Sequence, residues 1–153
     1  MGNIFNQDFR DFLAALRRYE VRYVLVGGYS VILHGYSRTT GDLDIWVEKT
    51  PANYEKLVRA FHNFGMPVFD MTAPNFLHHP EWDVFTFGRP PVAIDIITKL
   101  KGLEFAEVFA QATDVVVDGL TVRLIQYQHL LQAKRAAGRP RDQNDLDNLL
   151  NRA

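Results

Sequence analysis

Two adjacent glycines, Gly27 and Gly28, interrupt an apolar pattern in a way that limits what this chain can fold into. Residues 23–26 form a short apolar run that is typical of a buried strand. Residues 30–34 then resume an apolar pattern short enough to be a helix of two or three turns, closed near Gly35. The order strand, glycine turn, helix places backbone amides at a helix N-terminus, where an anion is favoured and a phosphate can come close.

Two adjacent glycines alone are more often a simple turn, so they indicate a binding site only in combination with three aspartates elsewhere in the sequence. Residues 42–47 alternate between polar and apolar side chains, so a strand would place Asp42 and Asp44 on one face, with about 7 Å between their Cα atoms. Asp95 interrupts the apolar segment VAIDIIT, where a lone carboxylate is costly unless it is paired or binds a metal. Each aspartate also has a plain interpretation, as a solvated strand face or a buried salt bridge. Their combination favours a site for divalent cations that prefer oxygen ligands.

The N-terminal half predicts two longer helices. Apolar residues at helical spacing predict a first helix that ends near Tyr19. Thr50 and Pro51 form a good N-cap and first-turn pair for a helix that ends at Gly65. Residues 66–80 contain three prolines without clear periodicity and are predicted to be mostly loop.

The C-terminal half predicts strands followed by helices. Residues 84–87 and 92–97 are predicted strands separated by Gly-Arg-Pro-Pro, and the Asp118-Gly119 pair predicts a hairpin over residues 114–125. A helix is expected over residues 126–137, followed by another with Asp142 as its N-cap. The prediction is one α+β domain over residues 1–153, with a mixed sheet, a core of about residues 21–125 and C-terminal helices over residues 126–152.

Composition limits the class of protein. The 17 basic and 18 acidic residues give no field suited to non-specific DNA binding, so an anionic ligand must be held locally. The absence of cysteine excludes disulfides and thiolate metal sites. The start of the sequence lacks the pattern of a secretion signal, and no apolar run approaches the roughly 20 residues that span a bilayer. We therefore expect a soluble, cytoplasmic protein without a membrane partner.

Basic residues in the tail offer a second contact to an anion. Lys134 and Arg139 lie on or beside a predicted helix and could reach a triphosphate, together with Arg135 and Arg141 nearby in sequence. The alternative is a solvated charge network with the neighbouring aspartates. We retain Lys134 as a candidate.

The combination of Gly27, Gly28 and Ser30 with Asp-x-Asp and a later strand aspartate resembles the nucleotidyltransferase superfamily related to DNA polymerase β. More narrowly, residues 26–48 and the tail LLQAKRAAGRPRDQNDLDNL look like small bacterial minimal nucleotidyltransferases and abortive-infection toxins. The resemblance covers residues 21–148, but only residues 24–48 and the tail are specific. It implies the mixed sheet of the polymerase β-like fold, flanked by helices.

The resemblance also implies a mechanism. Asp42, Asp44 and Asp95 would be the catalytic and metal-binding residues, holding one or two Mg²⁺ (or Mn²⁺) ions, with Asp95 helping to deprotonate an acceptor hydroxyl. The nucleotide-binding residues would be Gly27, Gly28, Ser30, Arg38, Thr39 (or Thr40) and Lys134. Displacement at the α-phosphate would then release pyrophosphate.

Several functions remain open at this point. The first is transfer of a nucleoside monophosphate, AMP from ATP, to a protein or RNA hydroxyl. By resemblance, a protein partner would be a HEPN-type protein or an antitoxin of a toxin-antitoxin pair. The second is a catalytically silent module that binds nucleotide or a protein partner. The third is hydrolysis of a phosphate ester on the same metal centre.

Overall fold

A computed structural model describes residues 4–89 and 92–151 of the chain. Within these residues, helices and strands alternate in the first half, and the last two helices follow a hairpin. In chain order they are α1 Gln7–Arg18, β1 Tyr23–Val26, α2 Gly27–Leu33, β2 Leu43–Val47, α3 Pro51–Phe64, α4 Ala73–His78, β3 Val84–Arg89, β4 Val92–Ile97, α5 Phe105–Gln111, β5 Thr113–Val117, β6 Leu120–Leu124, α6 Tyr127–Ala137 and α7 Pro140–Leu150.

The strands form one six-stranded sheet in the order β3-β4-β2-β1-β6-β5. β2 runs parallel to β4 and antiparallel to β1, and β1 runs parallel to β6. The two edge strands, β3 and β5, are each antiparallel to their neighbour. The sheet is therefore mixed, and the predicted α+β class is confirmed.

Aromatic side chains join α1 and α3 to one face of the sheet. Phe12 of α1 and Phe61 of α3 are fully buried, with ring centroids 5.4 Å apart. Phe61 in turn contacts Phe87 of β3, with centroids 4.7 Å apart. Because neighbouring strand residues alternate between faces, Thr86, beside Phe87, lies on the opposite face of the sheet.

Most predicted elements are confirmed. α1 is followed by Tyr19 at its C-cap, and β1 has the predicted bounds. Thr50 caps α3 by accepting a hydrogen bond from the Asn53 backbone, and Gly65 ends this helix in the left-handed conformation. Asp118 and Gly119 both have positive φ, as a tight hairpin turn requires.

Three local predictions differ from the structure. Residues 66–80 are not all loop, because Thr72 caps the short helix α4 and Pro74 sits in its first turn, where its missing N–H costs nothing. The helix α5 has no counterpart among the predictions. The N-cap of α7 is Arg139 and not Asp142, which lies at the third helical position and accepts a hydrogen bond from the Arg139 backbone N–H.

The predicted break at Gly-Arg-Pro-Pro falls partly outside the described residues, which leave out 90 and 91; Gly88 and Arg89 extend β3. Among the residues that the structure does describe, no helix has the length and apolar character needed to cross a bilayer.

Candidate active site

A row of side chains in register crosses the middle of the sheet on the face opposite Phe87. Asp44 of β2 lies beside Asp95 of β4, and Thr86 of β3 lies on the far side of Asp95. The Thr86 hydroxyl donates a 2.7 Å hydrogen bond to Oδ1 of Asp95. On the other side of Asp44, β1 contributes Val26, the residue directly before the glycine turn. The parallel pairing of β2 and β4 thus brings two carboxylates together from distant parts of the chain.

The two carboxylates perturb one another. The pKa of Asp44 is raised to about 7, first because the group is largely removed from water and then because the Asp95 carboxyl lies within hydrogen-bonding reach. The negative charge of Asp42 raises this pKa further, whereas the ammonium group of Lys134 lowers it. Two like charges held this close favour a bound proton or a bound cation between them.

Asp42 lies directly before β2 and makes a structural contact of its own. Its Oδ1 accepts a 3.0 Å hydrogen bond from the backbone N–H of Ala93, at the start of β4. Within residues 4–89 and 92–151, no three carboxylate or imidazole groups converge as a complete metal site. Asp44 and Asp95 fit a divalent cation by donor type and by their mutual repulsion, and Asp42 is the adjacent carboxylate that would complete the set.

The glycine turn, which the structure shows to be the first two residues of α2, lies directly against these groups. Gly27 has a φ of 71°, a left-handed conformation that strains other residues, and a Cβ atom there would collide with the Asp44 carboxylate. A Cβ atom on Gly28 would collide with the Thr40 side chain and lie 3.3 Å from Nη2 of Arg38. The close approach therefore favours glycine at both positions: Gly27 brings backbone next to the Asp44 carboxylate, and Gly28 brings it next to Thr40 and Arg38.

Ser30 lies behind this turn. Its side chain is fully buried, and its hydroxyl donates a 2.6 Å hydrogen bond to the Gly27 carbonyl oxygen. The hydroxyl fixes the first turn of α2 in this structure. Its predicted contact with phosphate stays a prediction.

A cavity of about 580 Å³ opens in front of the carboxylates and the glycine turn. Every predicted site residue except Ser30 lines it, although these residues come from separate segments of the chain. Additional cations also line it, namely Lys99, Arg139 and Arg141. The cavity thus combines carboxylates for a metal ion with cations for an anionic ligand.

Two carboxylates of α7 form ion pairs with the cations at one side of the cavity. Asp145 lies 2.8 Å from Nε of Arg38 and 3.0 Å from Nζ of Lys134. Asp142 lies 3.2 Å from Lys134 and 2.6 Å from Nε of Arg139. Burial opposes the ionisation of Asp142, but the hydrogen bond from Arg139 and the charge of Lys134 outweigh it and lower its pKa.

This network was not predicted in this form. The sequence allows a solvated network of tail charges, whereas Asp142 and Asp145 are 0% and 1% exposed in the structure. Arg38 was predicted to reach phosphates, yet its closest anionic partner is Asp145. The three-residue spacing of the two aspartates was the available signal, since it places both on one helix face.

Comparisons with known proteins agree with this architecture. A family described as "Nucleotidyl transferase of unknown function (DUF2204)" matches residues 5–152. No curated protein matches the chain in sequence.

Three solved structures share the fold at low sequence identity. TM1012 from Thermotoga maritima, a candidate nucleotidyltransferase, has a TM-score of 0.61 and 17% identity, covering 94% of this chain and 90% of its own. The lincosamide antibiotic adenylyltransferase LnuA, with lincomycin bound, has a TM-score of 0.60 and 16% identity, with 98% and 99% covered. JHP933 from Helicobacter pylori has a TM-score of 0.52 and 16% identity, with 92% and 62% covered.

Proposed function

The chain belongs to this nucleotidyl transferase family, and we propose that it transfers a nucleoside monophosphate, AMP from ATP, to a hydroxyl group in a reaction that requires Mg²⁺ or Mn²⁺. One observation carries the proposal: the Asp44 and Asp95 carboxylates lie side by side in front of the glycine turn. Backbone amides at a helix N-terminus suit phosphate oxygens, and paired carboxylates suit a hard cation.

The residues that line the cavity would have different roles according to their charge. Asp42, Asp44 and Asp95 would hold the cation, which when bound neutralises charge on the phosphate oxygens. Gly27 and Gly28 would let the triphosphate approach the backbone, while Arg38, Thr39 and Lys134 would donate hydrogen bonds to it. Asp95, which accepts a hydrogen bond from Thr86, would receive the proton of the acceptor hydroxyl.

The acceptor is the finer part of the proposal. A protein or RNA hydroxyl, met through a HEPN-type partner or an antitoxin in a toxin-antitoxin or abortive-infection system, is the acceptor class that the sequence resemblance suggests. LnuA, of which 99% is covered, is a lincosamide antibiotic adenylyltransferase with lincomycin bound, so small antibiotic molecules belong in the same screen. A cytoplasmic location, where ATP and Mg²⁺ are abundant, is part of this proposal.

A competing function is a nucleotide-binding module that transfers nothing. One contact favours it: Oδ1 of Asp42 already accepts a hydrogen bond from the Ala93 backbone N–H. In this alternative the cavity binds nucleotide, but the carboxylates never form a complete metal set.

Two measurements separate these functions. Calorimetric titration with ATP, CTP, GTP and UTP, each with Mg²⁺ or Mn²⁺, should reveal binding that disappears in the Asp42→Asn, Asp44→Asn double variant. Incubation with α-labelled ATP and cell extract, or with candidate small molecules, should then label an acceptor and release pyrophosphate. Nucleotide binding that needs neither the metal ion nor Asp42 and Asp44, without any labelled product, would favour the silent module, and the absence of nucleotide binding would refute both.

A further inference from the structure

Helix α7 places two buried carboxylates beside the cavity. Asp142 and Asp145 are almost completely shielded from water, at 0% and 1% exposed. A buried carboxylate is costly unless charged or hydrogen-bonding partners compensate for its lost hydration. Both aspartates find such partners on other segments of the chain, and those partners are cations that line the cavity.

Asp145 joins two segments that are far apart in sequence. Its Oδ1 lies 2.8 Å from Nε of Arg38, and its Oδ2 accepts a 3.1 Å hydrogen bond from Nη2 of the same guanidinium group. The same Oδ2 lies 3.0 Å from Nζ of Lys134 on α6. One carboxylate therefore fixes both the turn before β2 and the side chain of a neighbouring helix.

Both cations keep N–H groups for a ligand. Lys134 has three ammonium hydrogens, and its two carboxylate partners, Asp142 and Asp145, account for two of them. Arg38 has five N–H groups, and its Asp145 pair and the 3.0 Å bond from Nη1 to the Thr39 carbonyl leave others unused. Held from one side, each cation can still donate into the cavity.

We propose that Asp145, supported by Asp142, is a positioning residue for the triphosphate: it holds Arg38 and Lys134 in the orientation in which their remaining N–H groups meet the phosphates. The inference rests on the proposed function, because it assigns these two cations to nucleotide binding. It adds that the C-terminal helix, which contributes none of the predicted metal ligands, sets the affinity for the triphosphate.

The direction in which the affinity for the triphosphate changes distinguishes a loss of orientation from a loss of charge. Replacing Asp145 with asparagine removes a negative charge from beside the cavity, and Coulomb's law alone would then strengthen the binding of an anion. Loss of orientation would instead weaken the binding of the anion, because Arg38 and Lys134 would no longer be held in place. Weaker binding in the asparagine variant therefore cannot come from charge alone.

The test measures dissociation constants of the full chain by calorimetry, with Mg²⁺-ATP and with Mg²⁺-tripolyphosphate, which probes the phosphate contacts without a base. Asp145→Asn should weaken both ligands roughly tenfold, as is common when a supporting partner of a binding residue is removed. Asp147→Asn is the matched control, since Asp147 lies on the same helix but is exposed. It should bind both ligands as the wild type does.

A double variant tests whether Asp145 acts through Arg38. In an Arg38→Gln background, Asp145→Asn should weaken tripolyphosphate binding much less than it does in the wild type, because one of the two positioned cations is already gone. Additive losses would overturn the positioning role. A KM for ATP that rises while kcat stays nearly constant would support it in turnover assays.

Removing one partner of a buried network can also unfold a protein, so far-ultraviolet circular dichroism accompanies each titration. If Asp145→Asn does not fold, Asp145→Glu keeps the charge but moves the carboxylate, and should bind tripolyphosphate more weakly. Wild-type or tighter affinity in either folded variant overturns the inference while leaving the proposed function intact. A wild-type chain that binds neither ligand refutes the proposed function, and this inference with it.

Discussion

Asp44 and Asp95 face one another across the parallel strands β2 and β4, with their carboxyl groups within hydrogen-bonding reach. This pairing is unfavourable for a protein at neutral pH unless something compensates the two negative charges. Lys134 supplies part of the compensation, since its charge lowers the pKa of Asp44. The remaining repulsion is the physical reason to expect a cation in this cavity.

The first prediction concerns pH. Because the pKa of Asp44 is raised to about 7 in the folded chain, the folded state holds more protons than the unfolded state between about pH 4 and 7, so this group lowers stability as pH rises through that window. In the presence of a chelator, Asp44→Asn should therefore stabilise the protein by about 2 to 3 kcal/mol more at pH 8 than at pH 5. Urea unfolding at both pH values measures this, with Asp147→Asn as control.

The same ionisation governs metal binding. Mg²⁺ needs the deprotonated carboxylates, so its affinity should increase as pH rises through about 7 and then level off. In the urea unfolding experiment, equal slopes of the unfolding free energy against pH in the wild type and in Asp44→Asn would contradict the raised pKa of Asp44.

The second prediction compares two left-handed glycines. Gly27→Ala and Gly65→Ala each introduce a Cβ at positive φ, which costs about 1 kcal/mol. Only at position 27 would the new Cβ also displace Asp44, since the space around Gly65 is open. Gly27→Ala should lower the unfolding midpoint more and abolish Mg²⁺-ATP binding, whereas Gly65→Ala should bind normally. Similar binding by both variants would argue against the turn as part of the site.

The third prediction concerns the hydroxyl of Thr86. Thr86→Val keeps the shape but removes the hydrogen bond to Asp95, which should leave that carboxylate less well oriented and weaken Mg²⁺-ATP binding about threefold to tenfold. Thr86→Ser retains the hydroxyl and should restore most of the affinity. Titration of the three proteins checks this, and equal affinities for the valine and serine variants would rule out an orienting role.

The fourth prediction is purely structural. The buried side chain of Asn53 accepts a hydrogen bond from the Arg22 backbone N–H and donates to the carbonyl oxygens of Arg22 and Glu48. Asn53→Ala should lower the free energy of unfolding by about 2 to 3 kcal/mol, because buried backbone groups lose their partners. Asn63→Ala, at an exposed position of the same helix, should change it little. Nucleotide binding per folded molecule should be unchanged in both.

Local patterns were sufficient to predict much of the fold and the candidate site. The alternation over residues 42–47 indicated that Asp42 and Asp44 share a face, and the glycine pair indicated the turn, because both signals span only a few residues. The pairing of Asp44 with Asp95 depends on strand order. No local pattern reports strand order, and the resemblance to nucleotidyltransferases supplied it.

The features that the sequence did not predict have physical explanations. Pro74 suggested a loop, but a proline in a first turn costs a helix nothing, and Thr72 supplies the cap. Helix α5 spans only seven residues, too few for a clear period. The burial of Asp145 depends on Arg38, 107 positions earlier, so the tail alone suggested charges in solvent.

The buried pairing of α6 with α7 sets a limit on how far this protein can be shortened. A chain cut before Arg139 would lose both Asp142 and Asp145. The ammonium group of Lys134, which is only 7% exposed, would then be left without its nearest counter-charges. Trimming the last helix as a dispensable appendage would thus remove part of what keeps the cavity wall charged and in place. The smallest workable unit of this chain reaches into its final helix, well past the last strand of the sheet.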